Sequence, residues 1–145
     1  MQGGAVKMSE IAKRRVIARE GTNWQPTEEQ EQRAVFEWEI LMEKQYPELA
    51  FLAHVPNGEY RPIATATRLK KTGVKRGFPD LILPVARGGF HGLFVEMKRR
   101  KGGRVSDEQK EWLDFLTEQM YRAVVCHGAE EACDEIYRYL TESEQ

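Results

Sequence analysis

The sequence predicts an α/β fold: a mixed central sheet with helices on both faces. Three observations predict it. Helix-type and strand-type hydrophobic patterns alternate along the chain in the order α, β, α, β, β, α, β, α, which suits sheet and helix layers around one core. Two of the helices open on capping boxes, Thr27 with Gln30 and Ser106 with Gln109, so local hydrogen bonding sets their starts. The apolar runs are strand-length pieces such as Leu81-Ile82-Leu83, far below the ~20 residues a membrane span needs.

Taken in order, residues 1–24 are Gly-containing and basic and read as a mobile arm or a short extra helix ahead of a single domain over 25–145. The first firm helix runs from Thr27 to about Gln45, with Val35, Trp38, Leu41 and Met42 as its apolar stripe. Leu49 to Val55 reads as a strand that Pro56-Asn57-Gly58 breaks. Arg61 to Thr72 suits a helix, with Pro62 in its first turn and Gly73 at its end. Asp80–Val85 and Gly92–Lys98 are strands separated by a Gly-Gly turn region, a spacing that fits an antiparallel hairpin. Ser106 opens a helix with Trp112, Phe115 and Leu116 on one side. Tyr121–Cys126 is a compact buried-type strand, and a last helix from about Ala129 to Leu140 places Ala132, Ile136 and Leu140 on one face.

At 145 residues one domain is expected, and folding would bury roughly 68% of the unfolded surface, enough for a core without metal or disulfide staples. Cys126 and Cys133 are seven apart, neither a CxxC pair nor a disulfide framework, and fit buried thiols. The N-terminus has no apolar stretch of signal-peptide type. Secreted, membrane and zinc-ribbon classes are set aside.

The net charge of −1 hides a segregation. Between Arg61 and Pro79 stand six bases and no acid: Arg61, Arg68, Lys70, Lys71, Lys75 and Arg76. Between Met97 and Arg104 stand five more, Lys98, Arg99, Arg100, Lys101 and Arg104, again with no acid. From Val105 onward the balance reverses to eleven acids and three bases. One such run would be an ordinary solvated face. Two of them, flanking the site described next, suggest a surface that faces phosphates.

Asp80, Glu96 and Lys98 carry the chemistry. Glu96 and Lys98 are two apart on a strand and project to one face. Leu93-Phe94-Val95 make that strand apolar enough to be central, so its two charges need partners or a task. Asp80 starts the preceding strand, and a hairpin brings its carboxylate beside Glu96. Adjacent carboxylates repel unless a cation sits between them. All-oxygen ligation with an incomplete protein shell suits Mg²⁺ or Mn²⁺, which keep waters and accept phosphate oxygens. Lys98 would then orient or help deprotonate the attacking water, or stabilise charge on the phosphate. Singly, a Glu-x-Lys on an exposed strand and an aspartate after proline are bland features; in this order, on consecutive strands between two basic runs, they read as a site.

Gly77-Phe78-Pro79-Asp80 followed by Val95-Glu96-Met97-Lys98 resembles the PD-(D/E)XK nuclease signature. More narrowly, the chain resembles the virus-type replication-repair nuclease (VRR-NUC) domain family in its small stand-alone phage or bacterial form. The matching stretches are Pro56-Asn57-Gly58, Arg68-Leu69-Lys70, Gly73-Val74 with Gly77, the Pro-Asp, the Glu-x-Lys, and Ser106-x-x-Gln109-x-x-Trp112. The resemblance implies a restriction-endonuclease-like fold and metal-dependent phosphodiester hydrolysis in DNA. It implies Asp80 and Glu96 as metal ligands, the Met97 backbone carbonyl as a third contribution, and Lys98 as the catalytic lysine. Gln109 matches the family glutamine, although its place in a capping box also accounts for it. The family acid on the first helix has three candidates, Glu28, Glu29 and Glu31. Register against Gln32 selects Glu28 with Glu31 in reserve, and favourable placement at the helix N-terminus accounts for all three nearly as well. Asn57 would lie in a loop near the substrate, and Arg61, Arg68, Lys70, Lys71, Lys75, Arg76, Arg99, Arg100 and Lys101 are candidate phosphate contacts. The resemblance further implies a homodimer acting on branched DNA, four-way junctions or flaps, in replication, recombination or repair, within the cytoplasm of a bacterium or phage-infected cell. The competing reading is a catalytically silent DNA-binding module on the same scaffold.

Overall fold

The computed structural model describes residues 24–57 and 62–142. The arm expected over 1–24, apart from Trp24, and Arg61 lie outside the described residues. Helix α1 (Glu28–Met42) starts as its capping box requires: Thr27 Oγ1 accepts from the Gln30 N–H, and the Gln30 side chain accepts from the Thr27 N–H. Its inward face carries Glu31, Ala34, Val35 and Trp38. Leu41, expected in that stripe, is 58% exposed, as is its neighbour Ile40 at 68%. The buried row steps from Val35 to Trp38 to Met42, so Leu41 falls on the flank, where it stays in solvent.

The strand expected over Leu49–Val55 is mostly something else. Pro47 opens a 3₁₀ turn, Pro47–Phe51, whose Leu49 is buried, and only β1 (Ala53–His54) is extended. Strand β2 is likewise cut to Leu81–Leu83, because Pro84 has no N–H to continue a ladder. Helix α2 (Ile63–Lys71) begins after Pro62 and not at Arg61. Strand β3 (Leu93–Lys98), helix α3 (Asp107–Glu118), strand β4 (Arg122–His127) and helix α4 (Ala129–Thr141) complete the described chain.

The sheet has the order β1-β2-β3-β4. The first two pairings are antiparallel and β3–β4 is parallel, with α3 as the crossover, so the sheet is mixed. All six residues of β3 are buried, because helices cover both of its faces. Leu93, Val95 and Met97 point into the main core with Val35 and Trp38 of α1 and Ala132 and Ile136 of α4. Burial of each leucine, valine, isoleucine and methionine among them stabilises the fold by about 1.5–3 kcal/mol. The opposite face carries Phe94, Glu96 and Lys98. There Phe94 meets Phe78 and Tyr121 edge to face, and Phe78 meets Trp112 of α3 at 4.9 Å. Of the residues expected inward on α3, Leu116 is buried but Phe115 is exposed. Cys126 and Cys133 are buried thiols; desolvation pushes the Cys126 pKa up to about 12 and that of Cys133 higher still. Among the described residues no helix is long and apolar enough to cross a membrane.

Candidate active site

The β2–β3 hairpin register pairs Leu81 with Val95, which sets Asp80 across from Glu96 at the open end of the sheet. Asp80 is fixed from two sides. Its backbone carbonyl accepts from the Val55 N–H at 2.8 Å and lies 2.9 Å from His54 Nδ1. Its Oδ2 accepts from the Met97 N–H at 2.7 Å. The turn aspartate is thereby locked against the strand that carries Glu96 and Lys98, and half-buried His54 serves to hold it.

Glu96 is only 3% exposed. Its Oε1 accepts from Gln109 Nε2 at 2.7 Å and lies 3.6 Å from Lys98 Nζ. Its Oε2 is buried with no hydrogen-bond partner. Burial pushes the Glu96 pKa up to about 8; the Asp80 charge adds to this, Lys98 opposes it, and Glu28 contributes a weaker repulsion. Two facing carboxylates, one with an unsatisfied buried oxygen, form a site short of positive charge.

Gln109 resolves its own ambiguity, because its amide has two ends. Oε1 accepts from the Ser106 N–H at 2.9 Å and closes the cap of α3, while Nε2 donates to Glu96. Gly77 makes this possible. With φ at +84° it occupies the left-handed region, and a Cβ there would sit 2.6 Å from the Glu108 carbonyl carbon and 2.8 Å from the Gln109 nitrogen. The first turn of α3 therefore rests directly on the glycine that leads into Pro79-Asp80. Gly103 plays the matching part for Lys98, since a Cβ there would meet Lys98 Cβ at 2.8 Å.

The acids of the first helix separate cleanly. Glu29 is exposed and pairs with Arg33 at 2.8 Å. Glu31 is fully buried; Oε1 accepts from Arg100 Nε at 2.6 Å and Oε2 from the Ala129 N–H, the first of α4, at 2.5 Å. Both of its oxygens are committed to structure. Glu28 is the acid whose charge reaches Glu96. It does not complete a trio: among the described residues no three His, Cys, Asp or Glu side chains gather closely enough to hold a metal ion. The protein offers a pair of carboxylates, with the Met97 backbone beside them.

Arg68, Lys70, Lys71, Lys75 and Arg76 are exposed on the last turn of α2 and the loop after it, and Arg99 and Lys101 are exposed beyond β3. Arg100 differs from these, its Nε being taken by Glu31. Asn57 is a clamp: its Nδ2 donates to the Lys75 carbonyl and, at 3.4 Å, to that of Phe78. Trp112 Nε1 donates to the Arg76 carbonyl at 3.1 Å, tying the same loop to α3. The sequence marks Gly77, just ahead of Phe-Pro-Asp, but neither its contact with α3 nor Gly103; nothing local marks the Glu31–Arg100 pair, since the partners of Glu31 stand 69 and 98 residues away.

The model of the VRR-NUC domain family matches residues 6–130. A solved structure described as a VRR_NUC domain protein is similar over 81% of this chain and 90% of its own, with 31% identity and a TM-score of 0.69. No curated protein matches the chain.

Proposed function

Because this chain belongs to the VRR-NUC domain family and has its nuclease-type fold, we propose that it is a metal-dependent DNA endonuclease with Asp80, Glu96 and Lys98 at its catalytic centre. The observation that carries this reading is the buried Glu96 carboxylate, whose Oε2 has no hydrogen-bond partner and whose charge the neighbouring Asp80 repels. A hard divalent cation satisfies that oxygen and removes the repulsion, and an all-oxygen pair fits Mg²⁺ or Mn²⁺ better than zinc. Asp80, Glu96 and the Met97 carbonyl would hold it, with Glu28 acting on the site from the next layer outward. When bound, it supplies charge neutralisation at the phosphate and a more acidic water.

The chain's own residues do the rest. Gln109 fixes the rotamer of Glu96, so the carboxylate is aimed before substrate arrives. The Met97 N–H does the same for Asp80. Lys98, 6% exposed, holds a desolvated ammonium on the same strand face, where it stabilises charge on the phosphate or orients the attacking water. The exposed cations of α2 and its loop draw the DNA backbone toward this end of the sheet. Among the described residues no recognition element for base sequence stands out, so selection would be by DNA shape, with branched substrates such as junctions or flaps preferred. A homodimer suits a symmetric junction, since one subunit has one site and such a junction presents two equivalent strands.

The test is incubation with junction, flap, linear and supercoiled DNA in Mg²⁺ or Mn²⁺, then in EDTA, with light scattering for the oligomer. Cleavage that EDTA abolishes, concentrated on branched DNA at symmetric positions, is expected. Binding without cleavage under every metal would assign the chain to the silent-module reading. A monomeric mass with equal cutting of duplex and junction would leave the nuclease and remove the dimer.

A further inference from the structure

Among the described α-helices, α2 alone buries no residue. Nine residues do not hold a helix well in water without packing, so a face left bare on such an element calls for an occupant. Between α2 and the loop that follows lies a recess of about 590 Å³, lined by Ala66, Leu69 and Val74 with Lys70, Lys75 and Arg76 around them. A second recess of about 390 Å³ shares Val74 and Lys75 and continues to the rings of Phe78 and Trp112. Both volumes are those of small-ligand sites. The rings stand one step from the chemistry: Phe78 is two residues before Asp80, and Trp112 is one helical turn beyond Gln109, the donor to Glu96.

We infer that this groove is a subsite for an unpaired nucleotide of the DNA strand, its base against the Val74–Trp112 wall and its phosphate on Lys75 and Arg76. The inference rests on the nuclease reading and extends it to the residue next to the cut. Charge chooses the occupant. A bare apolar helix face would suit another protein, but α2 has no acid and ends in Arg68, Lys70 and Lys71, which complement a polyanion. The apolar wall requires the base to be unpaired. Within a duplex both faces of a base are already stacked, so only an extruded or single-stranded base has a face to bury there.

The experiment uses the full chain in EDTA, so that cleavage is not the readout. Fluorescence anisotropy compares a blunt duplex with the same duplex carrying a short single-stranded tail, and 2-aminopurine in the tail reports stacking. The tailed DNA should bind about tenfold more tightly, with the 2-aminopurine emission changed on binding. Val74→Asp and Lys75→Glu should each bring the ratio of tailed to blunt affinity close to one. Val74 is 39% exposed, so its replacement leaves the core in place, and a thermal melt checks this. Equal affinity of the wild type for the two DNAs, or a preference that survives both substitutions, overturns the subsite. So does a dimer that dissociates on Val74→Asp while the preference stays, because the groove would then belong to a second copy. Loss of the subsite with metal-dependent cleavage intact leaves the nuclease reading standing; no binding to either DNA in EDTA overturns the subsite, while the nuclease reading falls only if cleavage in Mg²⁺ or Mn²⁺ also fails.

Discussion

Glu96 has to be buried and charged at once, and the two demands conflict until a cation arrives. In metal-free protein its carboxyl holds a proton up to about pH 8, whereas in the unfolded chain it releases that proton near the ordinary 4.5. Between those values the folded state binds the extra proton, so stability is full below the lower value and is lost as pH rises toward the higher. Thermal melts in EDTA should therefore fall from pH 5 to pH 8.5. Glu96→Gln, which keeps an acceptor for Gln109, should flatten that fall. Mg²⁺ should raise the melting temperature of the wild type most at the alkaline end, and should do little for the variant. On the catalytic side, Asp80→Ala and Lys98→Ala should each lower cleavage by about 10²–10³-fold, as removing one preorganised charge does. Their combined loss should be less than the product, since the groups act as a unit. Near wild-type cleavage by either variant in a gel assay would remove that residue from the catalytic centre.

At the scale of elements, two contacts join helices to the site without touching substrate. The α3 N-terminus rests on Gly77, and Gly77→Ala adds both a left-handed alanine and a Cβ 2.6 Å from the helix backbone. The conformation alone costs about 1 kcal/mol, and the clash must push α3, and with it Gln109, away from Glu96. Cleavage should fall by at least tenfold while the melting temperature drops only a few degrees; unchanged kcat with the same drop would reduce Gly77 to a turn residue. The α4 N-terminus depends on Glu31, which also holds Arg100. Glu31→Ala strands the Ala129 N–H and unpairs an arginine that still reaches solvent, so about 2 kcal/mol of stability should go, below the ~3–5 expected for a fully buried pair. Denaturant titration measures this directly.

For the whole molecule the distribution of charge matters more than its sum. The net charge of −1 conceals a basic middle of the chain, holding the two acid-free runs, between more acidic N- and C-terminal parts. Affinity for DNA should fall steeply with salt, as counterions leave the phosphates that the lysines and arginines replace. Replacing Lys70 and Lys71 by Gln should reduce the slope of log K against log salt by about 2 if both contact phosphate. An unchanged slope in a filter-binding titration would place the DNA on the other basic run, around Arg99 and Lys101.

What near neighbours encode is legible in the amino-acid order alone. Capping residues three apart, alternation along β3, and an aspartate and a Glu-x-Lys on strands close enough to form a hairpin are local facts, and the element order and the Asp80–Glu96–Lys98 group follow from them. Where the reading slipped, distant packing or a missing donor decided. Leu41 lies at the margin of its stripe, where it is 58% exposed. Leu49–Val55 is apolar enough for a strand, but the 3₁₀ turn over Pro47–Phe51 takes up its first half and leaves Ala53–His54 to pair with Leu81 and Ile82 of β2. Register against Gln32 favours Glu28 among Glu28, Glu29 and Glu31, yet each of the three is an equally good first-turn residue. Tertiary structure separates them, because Arg100 and Ala129 arrive from 69 and 98 residues away to occupy Glu31, leaving Glu28 as the first-turn acid whose charge acts on Glu96. A carboxylate's role is set by which charges and donors surround it, and those come from parts of the chain that meet only when it folds.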